Sequence, residues 1–330
     1  MATVETGARL HFGFQNLALA HERLYGGVGV ALAEPRAVVA AEPAETVVAP
    51  DSLEPFAADA VALLREQGHD VAGTEVTLEE GFQRHVGLGS GTQFALATLV
   101  AVARAHDAYV DARTAAPALG RGGRSGVGVA TFENGGFVVD AGHPTERFTT
   151  APPERGAWDV PEPLVQRDVP ADWRFLLVTP EVDPGRHGAD EDASMRAAVE
   201  RADPGIADDI AGLLTRRLLP AVAERDLAAF GSAVARLGRL NGAWYADEQG
   251  GVYRPPAGAL VDALGDEPAL RGAGQSSWGP TVYGVTRTGD AAEARAAGER
   301  ALEAAGVGGT VRVVAPRNTG ASLAEEREET

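Results

Sequence analysis

The chain contains no cysteine, and because its 29 basic residues are all arginine, it has no lysine either. Without cysteine there can be no disulfide, no thiolate nucleophile and no cysteine metal site. Without lysine there can be no internal Schiff base with pyridoxal phosphate and no phosphate loop of the type that ends in lysine. A phosphate group must therefore be bound by main-chain N–H groups, hydroxyls, arginine or a metal ion.

Acidic residues outnumber basic ones by 47 to 29, which gives a net charge of -18. Such a charge argues against nucleic acid or an acidic membrane as a partner. Acid excess without lysine is typical of a halophilic cytoplasm, where salt screens carboxylates from each other; a GC-rich genome that favours arginine codons is the alternative. No apolar run reaches the roughly 20 residues that span a bilayer, and the N-terminus lacks a signal-peptide pattern. We therefore expect a cytoplasmic protein.

The hydrophobic pattern predicts an α+β protein with two layers side by side, not a regularly alternating α/β sheet. Strand-like segments (ATVETGARLHFGF and GGVGVALAEPRAVVAAEP) open the chain, and a helix is expected over 53–67. The stretch 150–172 is rich in proline and charge and predicts a boundary between two halves. We accordingly expect domains over 1–155 and 156–316, followed by an acidic, disordered tail over 317–330.

The segment HVGLGSGTQFALATLVAVARAH places three glycines ahead of an apolar run that predicts a helix to about His106. Glycine-rich loops that lead into a helix bind anions, because free N–H groups and the helix dipole both point at the ligand. The predicted phosphate-binding residues are Gly87, Leu88, Gly89, Ser90, Gly91 and Thr92. The spacing fits neither G-x-G-x-x-G nor G-x-x-x-x-G-K-[ST], so a plain turn with Ser90 as helix N-cap is the alternative.

Three segments together resemble the GHMP superfamily, which includes galactokinase and the homoserine and mevalonate kinases. GLGSGT is similar to that family's phosphate loop, Pro-x-x-x-Gly-Leu-Gly-Ser-Ser, with Gln83 in place of proline and Gly91 in place of the second serine. ARLHFGFQN and RLYGGVGVAL resemble its first strand pair, and GAGQSSWGP its second glycine-rich loop. The resemblance implies an N-terminal α+β domain that carries the phosphate loop and a C-terminal ferredoxin-like α+β domain.

Four phrases resemble one branch of that superfamily, the β-ribofuranosylaminobenzene 5'-phosphate synthases: HVGLGSGTQ, YGGVGVAL, RSGVG…FENGGFVVDAGH and SSWGPTVYGV. The branch implies condensation of phosphoribosyl pyrophosphate with 4-aminobenzoate, or its 4-hydroxy analogue, with loss of CO2 and pyrophosphate in methanopterin biosynthesis. Val129 stands where kinases of the superfamily often carry an acid. An ATP-dependent small-molecule kinase is the alternative, and a non-catalytic relative that binds a nucleotide or sugar phosphate is a third reading.

Candidate catalytic residues are Arg9 and His11, which lie two apart on one strand and face the same side, and Asp140, which ends a predicted buried strand. Arg9 can bind a phosphate or carboxylate, or form a surface ion pair; His11 can donate to the leaving group, or lie in the core as a hydrogen-bonded histidine. Asp140 is the candidate ligand for Mg²⁺, the expected cofactor, with Glu133, which we expect in a hairpin turn, as runner-up.

Further candidates for substrate binding are Arg23, Arg124, Ser125, Gly274, Ser276, Ser277 and Trp278. The arginines can bind anions or be solvated, Ser125 can be a helix N-cap, and Trp278 can stack on the arene or belong to the core. His187, Asp190, Glu191 and Asp192 form a charge run that favours solvation over a metal cluster. The expected partners are small-molecule substrates, and a homodimer is the commonest default for oligomeric state.

Overall fold

The computed structural model describes residues 1–148, 153–182 and 189–324, and it confirms the predicted α+β class. Two long antiparallel strands, β1 (Ala2–Asn16) and β2 (Arg23–Ala44), form the centre of the first sheet. On the other edge of β2, its later half pairs with β4 and its earlier half with β5 and β6. The remaining strands of this sheet are β3 (Val47–Val48), β4 (Gly73–Glu80), β5 (Phe137–Asp140), β6 (His143–Pro144), β7 (Pro163–Arg167) and β12 (Ser322–Ala324).

Helices pack against the first sheet: α1 (Glu54–Glu66), α2 (Ser90–Ala105), α3 (Ala112–Ala115) and α4 (Val127–Asn134). Eleven of the 16 residues of α2 are buried, because α2 lies between α1, α4 and the two long strands. An apolar sequence on all sides of a helix is what such a position requires. The predicted helix after the glycine-rich loop is therefore confirmed, and its first turn is anchored in the core.

The second sheet has strand order β11-β8-β10-β9 and is antiparallel throughout, with β8 (Trp173–Pro180), β9 (Ala273–Gln275), β10 (Val282–Arg287) and β11 (Gly309–Val314). Helices precede β9 and connect β10 to β11, so the sequence order is strand, helices, strand, strand, helix, strand. This order and this strand arrangement are those of the ferredoxin-like fold. The predicted ferredoxin-like second half is confirmed.

The helices of the second half lie on both faces of this sheet. They are α5 (Ala189–Arg201), α6 (Pro204–Leu213), a π-helical turn (Leu214–Leu218), α7 (Leu219–Glu224), α8 (Leu227–Gln249), α9 (Ala257–Gly265) and α10 (Ala291–Ala305). α9 and α10 pack on one face, and α8 packs between the other face and β1. No helix in the described ranges is long and apolar enough to cross a membrane.

The structure corrects the predicted boundary at residue 155. β7 pairs with β5 from Phe137↔Arg167 to Asp140↔Pro163 and thus belongs to the first sheet. The second sheet begins only at Trp173. Proline and charge in 150–172 predicted a boundary, but residues 163–167 of this stretch form an edge strand, and an edge position tolerates both features.

The predicted disordered tail is also wrong for residues 317–324. β12 adds to the edge of the first sheet, with Val4 opposite Leu323. The Arg317 side chain donates to the Glu5 carboxylate at 2.8 Å and to the Gly320 carbonyl oxygen at 3.0 Å. Residues 325–330 lie outside the described residues. The prediction from acidic composition missed the short strand β12 that precedes them.

Phe230, on α8, joins the two sheets in one core. Its ring is fully buried and lies 5.9 Å from the ring of Phe12 on β1 and 6.0 Å from that of Phe137 on β5. From the second sheet, Trp173 approaches to 4.7 Å and Phe175 to 6.5 Å between ring centroids. The two halves therefore share buried aromatic surface, which couples their stabilities.

We expect Phe230→Ala to lower the free energy of unfolding by about 3–5 kcal/mol, because it leaves a cavity between both sheets. Denaturant unfolding followed by circular dichroism measures the change. Leu164→Ala, on the exposed face of β7 with a side chain 64% exposed, is the control and should stay within about 0.5 kcal/mol of the parent. A similar small loss for both variants would contradict the shared core.

Candidate functional site

The predicted phosphate loop joins β4 to α2, and two of its glycines have left-handed backbone conformations. Gly87 has φ 92° and Gly89 has φ 81°, which other residues adopt only with strain. Gly89 is the N-cap of α2 and no side chain caps this helix end. The alternative in which Ser90 is the N-cap is therefore wrong, because Ser90 is the first helical residue. The first N–H groups of a helix have no partner within it, so they can bind an anion here.

Arg9 on β1 lies across this loop. Its guanidinium donates to the Gly87 carbonyl oxygen at 2.7 Å, and its main-chain N–H donates to the Leu88 carbonyl oxygen at 3.0 Å. A Cβ atom placed on Gly89 would lie 2.8 Å from Cγ of Arg9 and 3.1 Å from its Nε. Glycine at 89 thus leaves the space that the arginine occupies, and one cation is held beside the loop.

A second cation approaches the loop from the other side. Nη1 of Arg121 lies 3.1 Å from the position of a Cβ on Gly91, in the first turn of α2. The Arg121 guanidinium also lies over the ring of Phe56, as does that of Arg84. Sequence reasoning missed Arg121, although it stands three residues before the candidate Arg124. Its distance from the loop in sequence concealed the contact.

The second glycine-rich segment packs directly on the phosphate loop. Oγ of Ser276 donates to the Gly87 carbonyl oxygen at 2.8 Å and accepts from the His11 N–H at 3.1 Å. The Ser277 N–H donates to the His11 carbonyl oxygen at 3.1 Å. A Cβ on Gly87 would overlap the Ser276 carbonyl oxygen, and one on Gly279 would overlap main-chain atoms of Val86 and Gly87. The structure thus brings three distant motifs into contact.

Two other residues of that segment contact other parts of the protein. Gly274 lies on β9, where a Cβ would approach the Tyr283 hydroxyl at 2.6 Å, so a packing constraint explains this glycine. Trp278 is 8% exposed, and its ring lies 4.4 Å from that of Tyr245 on α8. Trp278 is therefore mostly buried but lies at a pocket between β1 and α8.

Asp140 ends β5 as predicted, but protein donors occupy both of its oxygens. Oδ2 accepts from the N–H groups of Gly27 and Gly126 and from the Ser125 hydroxyl, at 2.8–2.9 Å; Oδ1 accepts from the Gly142 N–H at 2.9 Å. Burial raises the pKa of Asp140, and these four donors oppose that shift by stabilising the carboxylate. This geometry argues against Asp140 as a metal ligand, because its oxygens already accept from β2, from the start of α4 and from the turn at Gly142.

His11 lies beside this carboxylate cluster. Burial, together with the charge of Arg9, lowers its pKa to about 3, so the imidazole is neutral near pH 7. Its Nε2 is buried without a hydrogen-bond partner and lies 2.8 Å from the position of a Cβ on Gly27, which would also overlap the Ser125 hydroxyl. Gly27 therefore lies where His11, Ser125 and Asp140 meet. The sequence did not predict this cluster.

The two predicted anion-binding arginines near this cluster make protein contacts. Arg23 donates to the carbonyl oxygens of Ala141 and Gly142 at 2.6 and 2.7 Å, which stabilises the turn after Asp140. Arg124 forms an ion pair with Asp192. These contacts favour structural roles, and substrate binding by either arginine stays a prediction.

Carboxylates of the described residues do not assemble into a metal site. No group of three or more histidine, aspartate and glutamate side chains lies close enough together to hold an ion there. Glu133 belongs to α4, not to the expected hairpin turn, and pairs with Arg113 at 2.6 Å. His187 and the side chains of Asp190 and Glu191 lie outside the described residues.

Comparison with known proteins agrees with this architecture. Residues 55–136, which include the phosphate loop and α4, match the model of the GHMP kinases N terminal domain. Among solved structures, mevalonate diphosphate decarboxylase from Staphylococcus aureus superposes with a TM-score of 0.67 at 12% identity and covers 98% of each chain. Similarity at this level shows the fold alone.

Two curated relatives are closer in sequence. The β-ribofuranosylphenol 5'-phosphate synthase of Methanothermobacter thermautotrophicus is 33% identical over 301 residues, 86% of this chain and 88% of the relative. The protein of the same name from Archaeoglobus fulgidus is 34% identical over 293 residues, 87% of this chain and 88% of the relative. With this identity over this much of both chains, the chain belongs to the β-ribofuranosylphenol 5'-phosphate synthase family of GHMP-fold enzymes.

Proposed function

We propose that the chain is a decarboxylating phosphoribosyl-type transferase, which joins phosphoribosyl pyrophosphate to a 4-substituted benzoate and releases CO2 and pyrophosphate. The observation that carries this proposal is an anion-binding helix N-terminus flanked by Arg9 and Arg121, in a chain without lysine. The relatives' name specifies a phenol product, which supports 4-hydroxybenzoate ahead of 4-aminobenzoate. The product would serve methanopterin-type cofactor biosynthesis.

The reaction breaks the bond between ribose C1 and the diphosphate oxygen and forms a bond from C1 to the ring carbon that bears the carboxylate. Electrons from the para oxygen or nitrogen assist this attack, and the cationic ring then takes up the electron pair of the C–CO2 bond. Negative charge develops on the leaving diphosphate. Main-chain N–H groups at the start of α2, with Arg9 and Arg121, would stabilise that charge.

Asp140 acts in this proposal as a positioning residue. Its carboxylate fixes the N–H groups of Gly27, Gly126 and Gly142 and thereby the turns that surround His11. The neutral His11 would donate a hydrogen bond to a substrate oxygen without adding charge. Because no carboxylate cluster among the described residues fits a resident Mg²⁺, we assign no step to a protein-held metal, and expect Mg²⁺ to accompany the diphosphate substrate as a counter-ion.

A kinase on the same fold is the second candidate, because the family model is named for kinases. Val129 occupies the place of the frequent kinase acid and is buried in α4, so it can neither bind nor move a proton. A non-catalytic sugar-phosphate-binding relative is the third candidate. The synthase needs neither a lysine nor an acid at 129, and this agreement with the chain's composition favours it.

Incubation of the purified protein with phosphoribosyl pyrophosphate and ring-carboxyl-labelled 4-hydroxybenzoate tests the proposal. We expect equal amounts of labelled CO2 and pyrophosphate, and the same assay with 4-aminobenzoate ranks the two arenes. The same assay over a series of salt concentrations tests the predicted halophilic behaviour. Sedimentation under the same conditions tests the predicted homodimer. ADP release from ATP with an alcohol acceptor would establish the kinase instead, and ligand binding without turnover would establish the non-catalytic relative.

We expect Gly89→Asp to lower kcat/KM by about 100- to 1,000-fold while the fold is retained. The new carboxylate would lie beside Arg9 and repel the diphosphate from the loop; like charges a few ångströms apart cost roughly 4 kcal/mol near a protein surface. Gly68→Asp is the matched control, because Gly68 also has a left-handed φ (88°) but no neighbour within 4 Å of its Cβ position. Equal activity of both variants would place the diphosphate elsewhere.

The pH dependence of stability reports on the neutral state of His11. Because folding lowers the His11 pKa to about 3, the unfolded chain binds one more proton than the folded chain between about pH 6.5 and pH 3. Stability from this residue is complete above pH 6.5 and is lost as the pH falls, by up to about 1.4 kcal/mol per pH unit. Denaturant unfolding from pH 7 to pH 5 should show a shallower slope for His11→Gln. His69→Gln, at an exposed position, should keep the parent slope, and identical slopes in all three would refute the assignment.

A further inference from the structure

A pocket lies where β1, α8 and the second glycine-rich segment meet. It holds about 440 Å³ of space that no protein atom fills, open solvent included. His11, Ser277 and Trp278 belong to its lining. Ser276, the neighbour of Ser277, donates to the Gly87 carbonyl oxygen, so the pocket and the phosphate loop lie on adjoining sides of one segment.

Among the residues that the structure describes, the lining carries aromatic rings and no ionic side chain. Phe14, Tyr245, Tyr253 and Trp278 contribute rings, and none of the lining residues is arginine, aspartate or glutamate. In a chain with 23% charged residues, such a lining is suited to a flat apolar ring. A polyanion such as phosphoribosyl pyrophosphate would bring several charges there without gaining a cation, whereas the aromatic acid brings a single carboxylate.

Most polar side chains of the lining already form hydrogen bonds within the protein. Asn241 exchanges hydrogen bonds with the main chain of Phe14 at 2.7 and 2.9 Å. Gln249 donates to the Val252 carbonyl oxygen, and Gln275 to that of Gly279. Two side-chain atoms of the lining differ: the Tyr253 hydroxyl and His11 Nε2 are buried without a hydrogen-bond partner. Such atoms are uncommon in native proteins and call for an explanation.

We propose that this pocket, the ring pocket, binds the aromatic acid, with its para hydroxyl at the Tyr253 hydroxyl and its carboxyl-bearing carbon at the His11 end. The identity of the ring rests on the proposed function. His11 is two residues from Arg9 on β1, and Arg9 contacts the loop that would hold the diphosphate. This orientation therefore points the reacting carbon towards the sugar.

The other end of the ring pocket suits a phenol. Tyr253 lines the pocket, and its hydroxyl packs at van der Waals distance over α8, 3.4 Å from the position of a Cβ on Gly238. Burial raises the pKa of Tyr253 to about 12, so the hydroxyl keeps its proton. A neutral hydroxyl can accept a hydrogen bond from the para O–H of the substrate. This hydrogen bond increases the electron density on the substrate oxygen and so strengthens electron donation into the ring. Tyr253 would thus be a specificity-determining residue.

Isothermal titration calorimetry on the full chain, with 4-hydroxybenzoate and benzoate, tests this assignment. Each titration is run with and without inorganic pyrophosphate. We expect the parent to bind 4-hydroxybenzoate about tenfold more tightly than benzoate, because benzoate leaves the Tyr253 hydroxyl unpaired. Tyr253→Phe should abolish that preference by weakening 4-hydroxybenzoate alone. The control is Tyr283→Phe, whose hydroxyl also lies near Gly238 but donates to the Val234 carbonyl oxygen; it should keep the preference.

A preference that survives Tyr253→Phe would overturn the proposal, as would failure of the parent to bind either acid under both conditions. The titrations contain no phosphoribosyl donor, so they stand even if the proposed condensation fails. Conversely, turnover with an unchanged KM for 4-hydroxybenzoate in Tyr253→Phe would leave the condensation intact and refute the ring pocket. The two ideas can therefore fail separately.

Discussion

The carbonyl oxygen of Gly87 accepts hydrogen bonds from Arg9 and from Ser276, and the rest of the site depends on this contact. Three segments separated by up to 267 positions (9 to 276) converge on one atom. Only glycine at 87 and 279 permits main chain to pack on main chain there. The loop therefore has a fixed shape before any ligand binds. A preformed loop binds an anion without the entropic cost of ordering its main chain.

The absence of lysine changes how the site obtains positive charge. Arginine stays protonated at every relevant pH and presents donors in a plane, so its direction has to be fixed by packing. Arg9 is fixed by the Gly87 carbonyl oxygen, and Arg121 lies over Phe56 and beside Gly91. In a chain of net charge -18, these local cations set the sign of the potential at the loop. Partly buried charges are screened less by salt than exposed ones.

The carboxylate of Asp140 serves the architecture of the site. It accepts hydrogen bonds from the N–H groups of three glycines, on β2, at the start of α4 and in the turn after β5. One buried anion thus joins three segments of the chain. The same fold supports relatives named as kinases and as a decarboxylase. Function must accordingly be argued from side chains such as Val129, His11 and Tyr253 and not from the fold.

The sequence by itself determined the α+β class, the helix after the glycine-rich loop, the ferredoxin-like second half and the absence of lysine chemistry. The ferredoxin-like half follows from the resemblance of three motifs to the GHMP superfamily. The other features follow from local periodicity, glycine content and composition, which are properties of neighbouring residues. It misplaced the boundary at 155 and the ordering of 317–324, because pairing at a sheet edge depends on a distant strand. Only the tertiary structure decided that Arg121 flanks the loop, that protein donors bind both oxygens of Asp140 and that Tyr253 faces a pocket. Each of these depends on contacts between residues far apart in the chain, and sequence spacing does not encode such distances.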